Sequence, residues 1–180
     1  DEKINEVLEK KVRERVHQAM QGVVYNLNTM HSRAGSQVPF SSINIGLPTS
    51  EDAALVCEIF LLEYEKGLGK GEQPIFPNII FRVKEGVNRE ENDPYFYLYK
   101  LACRVAAKRM NPTFMNIDAD FNKEYYDKGY VPATMGCRTY IMKNVNGEPG
   151  CKGRGNIAPT TINLPRIGLQ AKGSVDKFFE

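Results

Sequence analysis

NIIFRV, residues 78–83, sets apolar side chains at consecutive positions in a short β-branched run. Successive side chains of an extended chain point to opposite faces. The run therefore predicts a strand buried on both sides, the pattern of an inner strand in a parallel sheet. Upstream, EDAALVCEIFLLEYEK has helical spacing, with Thr49 or Ser50 available as cap and Gly67 as stop. Before it, FSSINIG (40–46) reads as a short strand carrying Phe40, Ile43 and Ile45. Downstream, the charged loop KEGVNREEND leads to Pro94 and the helix YFYLYKLACRVAAKRM, and TFMNID (113–118) reads as a third strand. Strand, helix, strand, helix, strand predicts an α/β fold with parallel strands and crossover helices.

The outer segments are read from the same signals. A helix over about 2–29 carries Ile4, Leu8, Val12, Val16, Met20 and Val24 on one stripe, with Val7, Ala19, Val23 and Leu27 beside it, and is expected to face the core. Beyond Asp118 the periodicity breaks down for about forty residues, a length that is uncommon inside compact domains unless the segment carries function. Within it, Asn146-Gly147 marks a hairpin turn in CRTYIMKNVNGEPGC. TTINLPRI (160–167) is read as a fourth strand, and GSVDKFFE as the first turn of a helix capped by Ser174. Both ends read as cuts through a longer protein, because residue 1 starts directly in a helical pattern and residue 180 stops in one.

The 180 residues are 42% hydrophobic and 26% charged, ordinary for one globular core. A net charge of +2, with both signs interspersed, advertises no face for nucleic acid or for an anionic membrane. No apolar run has transmembrane length, and DEKINEVLEKK lacks the apolar centre of a signal peptide, so the cytoplasm is the expected compartment. Cys57 and Cys103 lie in apolar helical stretches and are expected to be buried thiols. With no CxxC, and with His17 and His31 the only histidines, the spacing argues against a closed zinc site within the chain.

ATMGCRTY (133–140) places Cys137 between a glycine and an arginine, outside any apolar period. By itself it reads as an ordinary loop thiol more readily than as a reactive one. QVPFSSINIG, MGCRT and GRGNIAPTTINLPRI all lie at or near strand ends, where parallel α/β folds gather their sites. Ser41, Ser42, Asn44, Thr160, Thr161 and Asn163 are short hydrogen-bonding side chains in or beside those strands, able either to face a ligand or to bond local backbone. GRGN is no phosphate cradle, since it lacks the GxGxxG and GxxxxGK[ST] patterns and precedes a strand pattern rather than a helix. There is no GxSxG, and neither histidine sits beside a candidate nucleophile. Asp118 and Asp120 read as solvated carboxylates.

MGCRT followed by GN, a short spacer and TINLPRI, with QVPFSSIN upstream, resembles the catalytic subunit of anaerobic (class III) ribonucleoside-triphosphate reductases over essentially the whole chain. The resemblance implies a ten-stranded α/β barrel of the glycyl radical enzyme type, with a finger loop through its centre. Residues 1–180 would then be a fragment of that single catalytic domain, truncated at both ends, with the finger at about 119–158. It implies that Cys137 becomes a thiyl radical that takes the ribose 3′-hydrogen, and that Asn156 bonds the ribose hydroxyls or formate. Ser41, Ser42, Asn44, Arg138, Thr139, Thr160 and Asn163 are the implied substrate-binding residues. Formate is the implied co-substrate; the glycyl radical and a structural zinc lie outside this stretch. The implied partners are a ribonucleoside triphosphate, ATP and dNTP effectors, a radical SAM activating enzyme and a second copy of the full protein. No nucleic acid or membrane is among them. The fragment alone is expected to be inactive. The alternatives are another glycyl radical enzyme with the same barrel, or a redox module with a Cys137–Cys151 disulfide, which needs Cα atoms within about 7 Å.

Overall fold

The computed structural model describes residues 2–31, 34–35, 37–136, 139–151, 153–154 and 161–179. At its centre lies β2 (Asn78–Val83), hydrogen-bonded in parallel to β1 (Ser42–Ile45) on one side and to β3 (Thr113–Asn116) on the other. The register sets Ser42 opposite Asn78, Ile43 opposite Ile79 and Asn44 opposite Ile80. As the consecutive apolar run requires, both faces of β2 are covered: Ile79, Ile80 and Phe81 are all buried.

The two faces differ in chemistry. One carries Ile43, Ile45, Ile79, Phe81 and Val83 against α2 (Glu51–Lys66) and α3 (Phe96–Arg109), the two crossover helices. Ala54, Cys57, Phe60, Leu61 and Tyr64 of α2 and Leu98, Ala102 and Val105 of α3 complete that core. The other face carries Ser42, Asn44, Asn78 and Arg82 together with a small apolar cluster of Ile80, Met115 and Ile117. Ser50 caps α2 by accepting from the Ala53 N–H at 3.2 Å, and Gly67 ends it, as the spacing predicts.

The chain entering β2 is pinned from three sides. Asn28 of α1 (Glu2–Thr29) accepts from the Ile75 and Phe76 N–H groups at 2.8 and 2.9 Å. Tyr64 Oη donates to the Pro74 carbonyl at 3.0 Å. Buried Asn111 accepts from the Ile79 N–H at 3.0 Å and donates to Tyr64 Oη and the Pro77 carbonyl at 2.7 and 3.0 Å. At the C-terminal end of β1, Gly46 at φ +107° lies so close to β2 that a Cβ there would stand 2.5 Å from the Arg82 carbonyl oxygen.

Several expectations are corrected. The first half of α1 is not packed into the core: Val24 is buried, whereas Ile4, Leu8 and Val12 are more than half exposed, and there α1 faces α2 across an open recess, with Arg13 bonded to Glu58 at 2.8 Å. Cys103 is exposed, on the outer side of α3. The stretch after Asp118 is not wholly irregular, since it opens with α4 (Asp120–Asp127). Asp118 is not a free carboxylate: it accepts from the Glu85 N–H at 2.8 Å and from Arg89 at 3.1 Å, tying the end of β3 to the loop after β2.

The hairpin turn lies elsewhere than expected. β4 (Thr134–Met135) pairs antiparallel with β5 (Thr139–Tyr140), so the reversal lies between these two strands. At Asn146-Gly147 it turns without flanking paired strands, closed by Asn144 Nδ2 donating to the Glu148 carbonyl at 3.1 Å. TTINLPRI is no strand in its described part. Asn163 caps α5 (Leu164–Ala171), accepting from the Arg166 N–H at 3.0 Å, and Pro165 stands in the first turn, where its missing N–H costs nothing. The cap and proline override the apolar alternation. α6 (Val175–Phe179) follows, with Ser174 Oγ accepting from the Lys177 N–H at 3.3 Å.

Candidate functional site

The polar face of the sheet is occupied by the β4 strand. Asn44 Oδ1 accepts from the Thr134 N–H at 3.2 Å, and Asn44 Nδ2 donates to the Thr134 carbonyl at 2.9 Å. Two residues on, the Gly136 N–H donates to Ser42 Oγ at 3.2 Å and the Gly136 carbonyl accepts from Asn78 Nδ2 at 2.9 Å. Ser42 and Asn78 are directly opposed in the parallel register, so one residue of β1 and one of β2 hold the two sides of a single peptide position. Residues i and i+2 of an extended strand present their backbone groups in the same direction, which is why 134 and 136 both reach the sheet.

Gly136 has φ +63°, a left-handed conformation that other residues reach only with strain. A Cβ there would meet the Phe40 ring at 3.5 Å, so glycine serves the turn rather than a lack of room. Phe40 in turn stacks edge-on against Phe76, centroids 5.2 Å apart. On the returning strand, Tyr140 packs edge-on against Phe121 and Tyr125 of α4 and donates its hydroxyl to the Phe121 carbonyl at 3.1 Å. The hairpin is thereby fixed to the sheet through β4 and to α4 through β5.

Arg82, on the same sheet face, donates to the Asn44 and Ile45 carbonyls at 3.3 and 3.4 Å. Its burial lowers the guanidinium pKa from the ordinary arginine range, and the nearby Cys151, Cys57 and Tyr126 groups act the other way. Beside β4, a recess of about 310 Å³ is lined by Ile80, Thr113, Met115, Asn122, Thr134 and Tyr140 among others. Thr134 Oγ1 and Asn122 Oδ1, both from residues of that lining, are buried without a hydrogen-bond partner.

Of the residues singled out from sequence, Ser42 and Asn44 are brought together with the hairpin, and Thr139 lies within it as the partner of Met135. Ser41 precedes β1, its Oγ buried and unpartnered and its carbonyl accepting from the Asn78 N–H at 2.9 Å. Asn163 stands at the start of α5, its Oδ1 engaged in the helix cap. Cys137, Arg138, Asn156 and Thr160 lie outside the described residues. Cys151 is an exposed free thiol, 3.6 Å from Met142 Sδ. Asn78 escaped the sequence reading. Its only signal was a polar residue at the head of an apolar strand, and its importance depends on a register that joins segments far apart in the chain. Among the described residues no cluster of His, Cys, Asp or Glu is placed to hold a metal ion, and no helix is long and apolar enough to cross a membrane.

Residues 3–180 match the family of anaerobic ribonucleoside-triphosphate reductases. The chain is 35% identical over 167 residues to the anaerobic ribonucleoside-triphosphate reductase of Escherichia coli strain K12, covering 91% of this chain and 23% of that protein. It is 36% identical over 159 residues to the enzyme of the same name from Enterobacteria phage T4, covering 87% of this chain and 26% of that protein. The chain thus spans about a quarter of the length of these curated relatives. A match across nearly every residue, over the segment whose hairpin is bound to the polar face of a parallel sheet, shows that the chain belongs to the anaerobic ribonucleoside-triphosphate reductase family.

Proposed function

We propose that this chain is the part of the catalytic barrel that carries the finger loop, at about 119–158, and that the full-length protein reduces ribonucleoside triphosphates to deoxyribonucleoside triphosphates. The observation that carries the reading is the β4 strand, bonded to β1 and β2 through four hydrogen bonds and leading directly into Cys137. A thiol at that tip suits hydrogen abstraction, because its S–H bond is close in strength to the ribose C3′–H bond. The Cys137 thiyl takes the 3′-hydrogen atom and becomes S–H again, leaving the unpaired electron on C3′. The 2′-hydroxyl takes up a proton and departs as water, formate gives two electrons and leaves as carbon dioxide, and the Cys137 S–H returns its hydrogen atom to C3′, restoring the thiyl. A glycyl radical elsewhere in the full protein supplies the one-electron oxidation of the thiol.

This chain's own residues hold and orient. Asn156 bonds the ribose hydroxyls or formate, while Ser41, Arg138, Thr139, Thr160 and Asn163 are the proposed substrate contacts. The structural zinc, the ATP and dNTP effector sites, the radical SAM activating enzyme and the homodimer belong to the full protein. Membership of the family speaks against a glycyl radical enzyme of another substrate class and against a stand-alone redox module.

In the full-length activated enzyme, Cys137→Ser abolishes both product formation and hydrogen exchange at the substrate 3′-position, with nucleotide binding retained. Turnover above background in that variant overturns the assignment. Asn156→Ala lowers the rate more than it weakens binding, as expected for a hydrogen bond that strengthens in the transition state.

A further inference from the structure

We propose that Ser42, Asn44 and Asn78 are positioning residues, which hold the backbone of 134–136 on the sheet and so set where the reactive atom of residue 137 stands. The inference rests on the reading of Cys137 as the hydrogen-abstracting thiol. Ser42 and Asn44 are implied by resemblance to be substrate contacts, but the structure turns them to another task. Asn44 takes both backbone groups of Thr134, in the manner of a neighbouring strand. Ser42 and Asn78 take both backbone groups of Gly136, the residue immediately before the thiol.

Three features make these contacts an alignment device rather than loop packing. The anchors stand on the sheet itself, Ser42 and Asn44 on β1 and Asn78 on the middle strand, which is pinned through Asn111, Tyr64 and Asn28. They act on backbone, so they fix height and direction whatever side chains the loop carries. The last anchored residue, Gly136, is the one whose left-handed φ turns the chain toward 137. A reacting atom displaced by about 1 Å loses on the order of a hundredfold in rate. An anchor one residue from the sulfur therefore acts on the chemical step.

The test uses the full-length activated enzyme with Asn44→Ala, Asn44→Asp, Asn78→Ala and Ser42→Ala, and Cys137→Ser as a separate arm. Asn44→Ala and Asn78→Ala are expected to lower kcat at least about tenfold while leaving KM for the ribonucleotide within about twofold. Asn44→Asp keeps the acceptor for the Thr134 N–H but sets a carboxylate oxygen against the Thr134 carbonyl, so its kcat falls at least as far as that of Asn44→Ala. Amide hydrogen exchange at 134 in Asn44→Ala, and at 136 in Ser42→Ala, accelerates at least about tenfold, while exchange across β2 stays as in wild type. Should an asparagine variant lose protection throughout β2, the single-bond variant Ser42→Ala carries the comparison. A wild-type kcat in the anchor variants, with Cys137→Ser inactive, overturns the positioning role and leaves the thiol reading intact. A raised KM at unchanged kcat makes these residues substrate contacts and also overturns it. An active Cys137→Ser removes the thiol reading, and the inference with it.

Discussion

Asn44 and Thr134 lie 90 residues apart in the chain, yet the side-chain amide of one hydrogen-bonds both backbone groups of the other, at 2.9 and 3.2 Å. The amide reproduces the donor and acceptor pair of a neighbouring strand. A carboxamide is the group best suited to this, since it presents one donor and one acceptor side by side. The consequence is that the residues leading to position 137 take their geometry from the sheet.

Gly136→Ala should tilt that geometry without a steric clash. The left-handed backbone costs a residue with a Cβ about 1–2 kcal/mol, and the nearest atom, on Phe40, lies at ordinary contact distance of 3.5 Å. The expected result in the full-length enzyme is a reduced kcat with a small fall in the urea midpoint. Unchanged turnover would show that the conformation at 136 is not needed.

Gly46→Ala is expected to be far more damaging to folding. Its Cβ would stand 2.5 Å from the Arg82 carbonyl oxygen and 2.8 Å from the Arg82 nitrogen, and its φ of +107° is closed to alanine. Overlap with backbone of the central strand has no side-chain escape, so a loss of roughly 3 kcal/mol or more is expected by denaturant titration.

Removing Asn111 strands several buried groups at once. Asn111→Ala leaves the Ile79 N–H and the Pro77 carbonyl without their partner and takes one from Tyr64 Oη. Each unsatisfied buried group costs about 1–3 kcal/mol, so the urea midpoint should drop strongly. Tyr64→Phe should cost less, because it deletes a hydroxyl whose bonds reach only Asn111 and the Pro74 carbonyl.

Cys57 should be inert where the exposed cysteines react. Burial pushes its thiol from 9.0 up to about 12, partly countered by the Gly46 backbone and Arg82. At pH 8 an alkylating reagent is expected to modify Cys103 and Cys151 well before Cys57. The proton is held more tightly in the folded state than in the unfolded one. This stabilisation is therefore complete below pH 9.0 and is lost as pH rises from there toward 12. Cys57→Ala should flatten the alkaline decline in stability; an unchanged decline would assign it to other groups.

The parts of this molecule governed by neighbours in sequence were legible without coordinates. β2 came from its apolar run, α2 from its period and from Ser50 and Gly67, and the last helix from Ser174, because caps and periodicity act within a turn or two. Local rules also misled where two of them competed. In TINLPRI the apolar alternation suggested a strand, while the asparagine cap and first-turn proline favoured α5. The eight-residue α4 is too short for its period to stand out. What only the tertiary structure decided is which side chains meet. The opposition of Ser42 and Asn78 exists because two parallel strands joined by a helix pair in one particular register, and the hold of both on Gly136 spans 94 and 58 residues of chain. The exposure of Cys103 and of the first turns of α1 has the same origin. An apolar face is written in the sequence, but whether another surface closes over it depends on how the neighbouring elements pack.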